Sequence, residues 1–156
     1  MPRNYKSTET YLSPDPRFQS MLATKIINKI MWDGKKSLAE RIFYEAVENC
    51  AQKLGKEPAE VFVQAIDNIR PRIEVRSKRV GGATYQVPME VKPRRQQSLA
   101  IRWLLDAVRS KRGKPMAQRL ANELMDAYNN QGAAVTKKEN VHKMADANKA
   151  YSHFAW

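Results

Sequence analysis

The spacing of apolar residues changes once along this chain, around a pair of adjacent glycines. From Arg72 to Val91 apolar and polar residues alternate: Ile73 and Val75 precede Gly81-Gly82, and Tyr85, Val87, Met89 and Val91 follow it. A period of two is the strand signature. A glycine pair between two such runs supplies the positive backbone angles that a tight reversal needs. The segment is predicted to be an antiparallel β-hairpin at about 72–91. On both sides the spacing returns to three and four, so the hairpin is an insertion in a helical chain.

The register of the hairpin follows from the same pattern. A two-residue turn pairs Val80 with Ala83 and sets odd residues opposite even ones. That sends the apolar residues of the two strands to opposite faces. A three-residue loop, Gly81-Gly82-Ala83, pairs odd with odd. Ile73, Val75, Val87, Met89 and Val91 then share one face, and Arg72, Arg76 and Lys78 share the other with Thr84 and Gln86. The alternation favours the odd-numbered loop or an equivalent bulge.

Residues 1–19 are polar, carry Pro2, Pro14 and Pro16, and read as an extended N-terminal arm. Residues 20–156 read as a single helical domain. Leu22, Ile26, Ile27 and Ile30 mark a first helix, capped by Ser20 and stopped by Gly34. Leu38, Ala39, Ile42, Phe43, Ala46, Val47, Cys50, Ala51 and Leu54 form the apolar stripe of a second, closing at Gly55. Pro58 opens a third, with Val61, Phe62, Ala65, Ile66 and Ile69, and Pro71 ends it. A fourth carries Leu99, Trp103, Leu104, Ala107 and Val108. Pro115 opens a fifth, with Met116, Leu120, Leu124 and Tyr128, and Gly132 separates it from a sixth around Ala134, Val141, Met144 and Ala145. The expected fold is mainly α: a six-helix domain with one inserted, protruding antiparallel β-hairpin.

Charge is unbalanced and localised. The chain has 28 Lys and Arg against 16 Asp and Glu, a net charge of +12. Half of that surplus lies between residues 70 and 95, where Arg70, Arg72, Arg76, Lys78, Arg79, Lys92, Arg94 and Arg95 face only Glu74 and Glu90. A second cluster is Arg109, Lys111, Arg112, Lys114 and Arg119, at the turn between helices four and five. A third is Lys35 and Lys36. A two-stranded ribbon is marginal alone in water, so this much charge on one implies a polyanionic support. Tyr85 is placed to stack on a base or ribose. A folded RNA fits best. A DNA-bending architectural protein with a basic β-arm is the alternative, because helices plus a charged arm describe both.

Chemistry for an enzyme is missing. His142 and His153 have no Cys or second His at ligand spacing, so no metal site is expected. Cys50 falls on the apolar stripe of helix two and reads as a core thiol. It has no second cysteine to pair with, which fits a reducing compartment. No phosphate-binding glycine loop or nucleophile elbow occurs. Trp32 and Trp103 sit among helical apolar positions and read as core; Trp156 suits core or surface equally. With no membrane-length apolar run and no signal-peptide pattern at the N-terminus, a soluble, cytoplasmic protein without cofactor or catalytic residues is expected.

The run Val75-Arg76-Ser77-Lys78-Arg79-Val80-Gly81-Gly82-Ala83-Thr84-Tyr85-Gln86-Val87-Pro88 resembles the signature of the bacterial small-subunit ribosomal protein seven family. Further blocks match in order: Ile30-Met31-Trp32-Asp33-Gly34-Lys35-Lys36, Arg102-Trp103-Leu104, Leu120-Ala121-Asn122-Glu123, Gly132-Ala133-Ala134-Val135 and His142-Lys143-Met144-Ala145. The resemblance spans nearly the whole chain. It implies a non-catalytic component of the small ribosomal subunit that binds the major 3′ domain of its rRNA and nucleates assembly of the head. It further implies a place near the exit site, with the ribbon approaching tRNA and mRNA, and small-subunit proteins nine and eleven as neighbours.

Carried over by position, the rRNA-binding residues expected are Arg3 and Lys6 in the arm and Lys35 and Lys36 in the link. Arg72, Arg76, Lys78 and Arg79 follow on the ribbon, then Lys92, Arg94, Arg95 and Arg102, the cluster Lys111, Arg112, Lys114 and Arg119, and Lys143. The tip residues Gly81, Gly82, Ala83, Thr84 and Tyr85 are expected nearest tRNA and mRNA. The sequence departs from the family pattern at Asn4, where many members carry a second Arg, and at Lys92-Pro93-Arg94-Arg95-Gln96, where an acid usually follows the proline. Lys78 replaces the more frequent Arg, keeping charge and losing the planar fork.

Overall fold

The computed structural model describes residues 8–154; the expectations for Arg3, Asn4, Lys6 and Trp156 lie outside the described residues. A 3-10 turn at Thr8–Tyr11 is followed by α1 (Met21–Ile30), α2 (Lys36–Leu54) and α3 (Pro58–Ile69). The hairpin strands β1 (Ile73–Val80) and β2 (Ala83–Glu90) come next. Then come α4 (Pro93–Ser110), α5 (Met116–Tyr128), α6 (Ala133–Ala147) and a C-terminal 3-10 turn, Lys149–Phe154. The mainly helical fold with one inserted hairpin is as expected.

Local chemistry sets the helix ends. Ser20 is extended and its side chain accepts the Ala23 N–H, capping α1. α1 ends at Ile30, four residues before Gly34, which instead serves the link with a φ of +71°. Gly55 closes α2 in the left-handed conformation, and Pro58 occupies the first turn of α3. α4 starts at Pro93, well before the apolar run at Leu99, so Arg94 and Arg95 stand in its first turn.

The core lies where α5 packs against α2, α3, α4 and α6. Phe43 and Phe62 are fully buried, with ring centroids 5.6 Å apart. Phe18 closes this cluster at 6.2 Å from Phe43 and 5.5 Å from Phe62. Asp15 helps hold Phe18 there. Its carboxylate accepts the N–H groups of Arg17 and Phe18 at 3.1 and 3.0 Å and the Tyr44 hydroxyl at 2.6 Å. The segment from Asp15 to Phe18 is therefore seated on the helical body.

The hairpin register differs from the expectation. Val80 pairs with Ala83 across a two-residue Gly81-Gly82 turn, and Arg76 faces Val87, odd against even. Both glycines have positive φ, +57° and +89°, the geometry of the tight turn whose twist matches the strands. Directly opposed residues share a face, so Glu74, Arg76 and Lys78 lie in one row with Met89, Val87 and Tyr85. Ile73, Val75, Ser77 and Arg79 lie in the other with Glu90, Pro88, Gln86 and Thr84. The first row is the supported one: Val87 and Glu74 are buried, and the C-terminal 3-10 turn packs on β2. Polar residues occupy the β1 positions of that row because each finds a polar partner there.

Candidate nucleic-acid interface

The cations expected at an RNA surface divide by what they already touch. On the supported row, Arg76 Nε donates to Glu74 at 2.7 Å, and Arg95 Nε donates to both Glu74 oxygens at 2.9 and 2.8 Å. One buried carboxylate thus ties β1 to the first turn of α4. Lys78 Nζ donates to the Phe154 carbonyl at 2.8 Å. Tyr85, expected from sequence to stack on a base or ribose, has ring centroids 5.1 Å from Tyr151 and 5.2 Å from Phe154. On the outer row Arg79 is exposed beside Ser77, Thr84 and Gln86, and has no partner among the described residues.

The first turn of α4 departs from normal helix electrostatics. A helix N-terminus carries a partial positive charge and favours acids. Here Lys92 is the cap, Arg94 and Arg95 follow, and no acid is present in the first turn. The Glu74 carboxylate from β1 answers Arg95 at that end. A groove of about 380 Å³ between α1 and α4 continues the basic surface, with Lys25, Lys29 and Arg94 in its lining. Lys25 donates to Gln97 at 3.0 Å. Lys25 and Lys29 were not among the residues expected from sequence. They lie four apart on the polar side of an amphipathic helix, a spacing that signals a shared face. Arg102 is exposed further along α4. Gln96, one of the departures from the family pattern, turns inward and donates to the Val91 carbonyl at 2.8 Å.

The turn between α4 and α5 is similarly divided. Lys111 Nζ donates to the buried Glu123 at 2.6 Å, and Arg119 Nη1 donates to the carbonyls of Lys111 and Val108. These two cations build the turn. Arg112 and Lys114 stand exposed on it without partners among the described residues. In the link after α1, Lys35 is exposed and Lys36 lies 3.9 Å from Glu40. Trp32, expected in the core, is 76% exposed, because α1 stops before it; Trp103 is half-buried.

The hairpin root is held by α6. The Arg72 backbone N–H donates to His142 Nε2 at 3.1 Å. Burial, then the nearby Lys138 charge, lower the His142 pKa, with Asp146 opposing and Arg72 adding to the effect. The bond requires a neutral ring, so cause and geometry agree. The side chain of Arg72 and that of Lys143, on α6, are exposed. Cys50 is buried in the core, and burial pushes its thiol up to about 11, which keeps it protonated and inert.

Among the described residues no group of three His, Cys, Asp or Glu is arranged to hold a metal, and no helix is long and apolar enough to cross a membrane. What fold and surface define is a helical scaffold whose exposed cations are spread over the hairpin, α4, the α4–α5 turn and α6. The sequence profile of the family described as ribosomal protein S7p/S5e matches residues 2–149, and the chain belongs to that family. It is similar to proteins named small ribosomal subunit protein uS7 from three bacteria. That of Fervidobacterium nodosum is 55% identical over 154 residues, 99% of each chain. That of Symbiobacterium thermophilum is 56% identical over the full length of both. That of Rhodopirellula baltica is 59% identical over 152 residues, 96% of this chain and 97% of the relative. Membership makes the chain a structural ribosomal protein with no catalytic role, working on the ribosome in the cytoplasm.

Proposed function

We propose that this chain is a structural component of the small ribosomal subunit that binds the major 3′ domain of its rRNA and nucleates assembly of the subunit head. The observation that carries the reading is the set of unpartnered cations. The side chains of Arg72, Arg79, Lys92, Arg102, Arg112, Lys114 and Lys143 are exposed and make no hydrogen bond or ion pair with another described residue. They spread over the hairpin, α4, the α4–α5 turn and α6, as a folded polyanion with several helices would require. The arm, residues 1–19, adds Arg3 and Lys6, and the link adds Lys35 and Lys36. Residues 20–156 act as one domain. The hairpin tip, Gly81 to Tyr85, lies toward exit-site tRNA and mRNA, and small-subunit proteins nine and eleven are the protein neighbours.

Competition binding tests this. The full chain is titrated with a transcript of the major 3′ domain of small-subunit rRNA at moderate salt, with duplex DNA of equal length as competitor. Preference for the transcript is expected. Equal or better binding of DNA overturns the reading in favour of a DNA-bending protein.

A further inference from the structure

α6 and the turn that follows it touch the hairpin at two places along its length. At the root, His142 of α6 accepts the Arg72 backbone N–H at 3.1 Å. Near the tip, the C-terminal 3-10 turn meets the cross-strand pair Lys78 and Tyr85. Lys78 Nζ donates to the Phe154 carbonyl at 2.8 Å. The Tyr85 ring lies against Tyr151 and Phe154, whose own rings are stacked at 12° with centroids 6.4 Å apart. The chain between the two places is ordered by its own bonds. Asn148 Nδ2 donates to the Met144 carbonyl at 2.8 Å, and the Tyr151 N–H donates to the Asn148 carbonyl at 2.9 Å. Lys78 lies six positions beyond Arg72, about 20 Å along an extended chain.

We infer that the C-terminal turn, Lys149–Phe154, is a strap that fixes the direction of the ribbon in the free protein and closes the tip end of its inner row. One attachment at the root lets a two-stranded ribbon pivot and fray, since such a ribbon has no core of its own. A second attachment nearer the tip removes the pivot. The sheet has two strands, so the grip comes from aromatic rings and one ammonium. No residue of the turn is itself buried, and Tyr151 is 37% exposed. The strap therefore rests on the hairpin from outside the helical core and opens locally without unfolding the body. Its effect on a partner has two parts. A ribbon ordered in advance gives up less conformational freedom on binding. With Lys78 and Tyr85 engaged, the row left open is that of Arg79, Thr84 and Gln86, so the ribbon presents one face. None of this depends on which polyanion is bound.

The test is made on the full chain without RNA. Hydrogen exchange is compared between the wild type, the double variant Tyr151→Ala, Phe154→Ala, and the single variant Tyr151→Phe. In the double variant the cross-strand amides from Ser77 to Gln86 should exchange about tenfold faster, while α2 and α5 keep wild-type rates. Tyr151→Phe keeps the ring and should exchange as wild type. Wild-type rates near the tip of the double variant overturn the strap, because the ribbon then holds itself. Equal acceleration in α2 and α5 also overturns it, because the turn then belongs to the global stability of the body. Direction is read separately, by spin labels at Thr84→Cys on the hairpin and Lys53→Cys on α2, both exposed in the wild type. Cys50 is buried and stays unlabelled. Double electron–electron resonance should give one narrow distance with the strap intact and a clearly broader distribution in the double variant. Equal widths, or a broad distribution with the strap intact, overturn the proposal. The second of these removes no ring from the strap, so it decides however the double variant folds.

Discussion

Glu123 holds a fully buried carboxylate where the α4–α5 turn, α5 and the start of α6 meet. One oxygen accepts Lys111 Nζ at 2.6 Å and the other accepts the Ala134 N–H at 2.9 Å. α6 begins at Gly132 without a side-chain cap of its own, so Glu123 caps it from a neighbouring helix. A Cβ on Gly132 would lie 3.0 Å from both Glu123 Oε1 and Asp126 Cβ, at a φ of +94°, so only glycine fits beside this carboxylate. Glu123→Ala should lower unfolding free energy by about 1–3 kcal/mol, the cost of an orphaned buried donor, because half-exposed Lys111 can turn to water. Urea denaturation measures it. Phe43→Ala, at the centre of the aromatic cluster, should cost more, about 3–5 kcal/mol by the same assay. His142 adds a pH dependence. The folded state holds its pKa below the ordinary histidine value, so the unfolded chain binds the proton more readily. The stabilisation is complete above about pH 6.5 and is lost as pH falls below it. Thermal unfolding between about pH 7.5 and pH 5.5 should show a declining Tm, flatter in His142→Gln; parallel curves would dissociate the imidazole from the effect.

The hairpin separates structural from open cations within one element. Arg76 and Arg95 share Glu74, while Arg79 points away with Thr84 and Gln86. Arg79→Ala should weaken RNA binding evenly across sequences and reduce the magnitude of the salt slope by about one, with Tm unchanged. Arg76→Ala should lower Tm and leave the slope closer to wild type, since it removes one of the two cations on the buried Glu74 carboxylate. Equal slope changes in both variants would show that Arg76 is as free for phosphate as Arg79. The helices were legible in the sequence because their period, caps and glycine stops are local signals: Ser20, Gly55 and Pro58 do what their types dictate. The strand register was not legible. Alternation predicts a face only if apolar residues alone are buried. Here the inward β1 positions are Glu74, Arg76 and Lys78, made tolerable by Arg95 and the Phe154 carbonyl, 21 and 76 residues from their partners. No local pattern encodes such distant satisfaction. The start of α4 was missed from the apolar run at Leu99, although Pro93 at a favoured first-turn position signals it. Trp32 misled because a large apolar residue two positions past Ile30 looks like core until the helix end is known.

A net charge of +12 opposes compaction, and the molecule manages it by tying some cations to internal acceptors and spreading others outward. Arg76, Lys78, Arg95, Lys111 and Arg119 all donate to carboxylates or carbonyls of the chain itself. The open set lies on separate elements, so no single helix or strand carries the surface. Affinity should accordingly arise from many weak ionic contacts and fade with salt. If about six meet phosphates, binding to the rRNA transcript should fall on the order of a thousandfold between 50 and 200 mM salt, taking the duplex-DNA slope as guide. Filter binding of the full chain across that range reads the slope directly. The triple variant Arg79→Ala, Arg112→Ala, Lys114→Ala draws one cation from the ribbon and two from the α4–α5 turn, none with a partner among the described residues to lose. Its Tm should match wild type while its salt slope shrinks by about three, roughly one for each lost phosphate contact. A variant that unfolds more easily would mean these side chains hold the scaffold together. An undiminished slope would mean the phosphates lie against another side of the molecule.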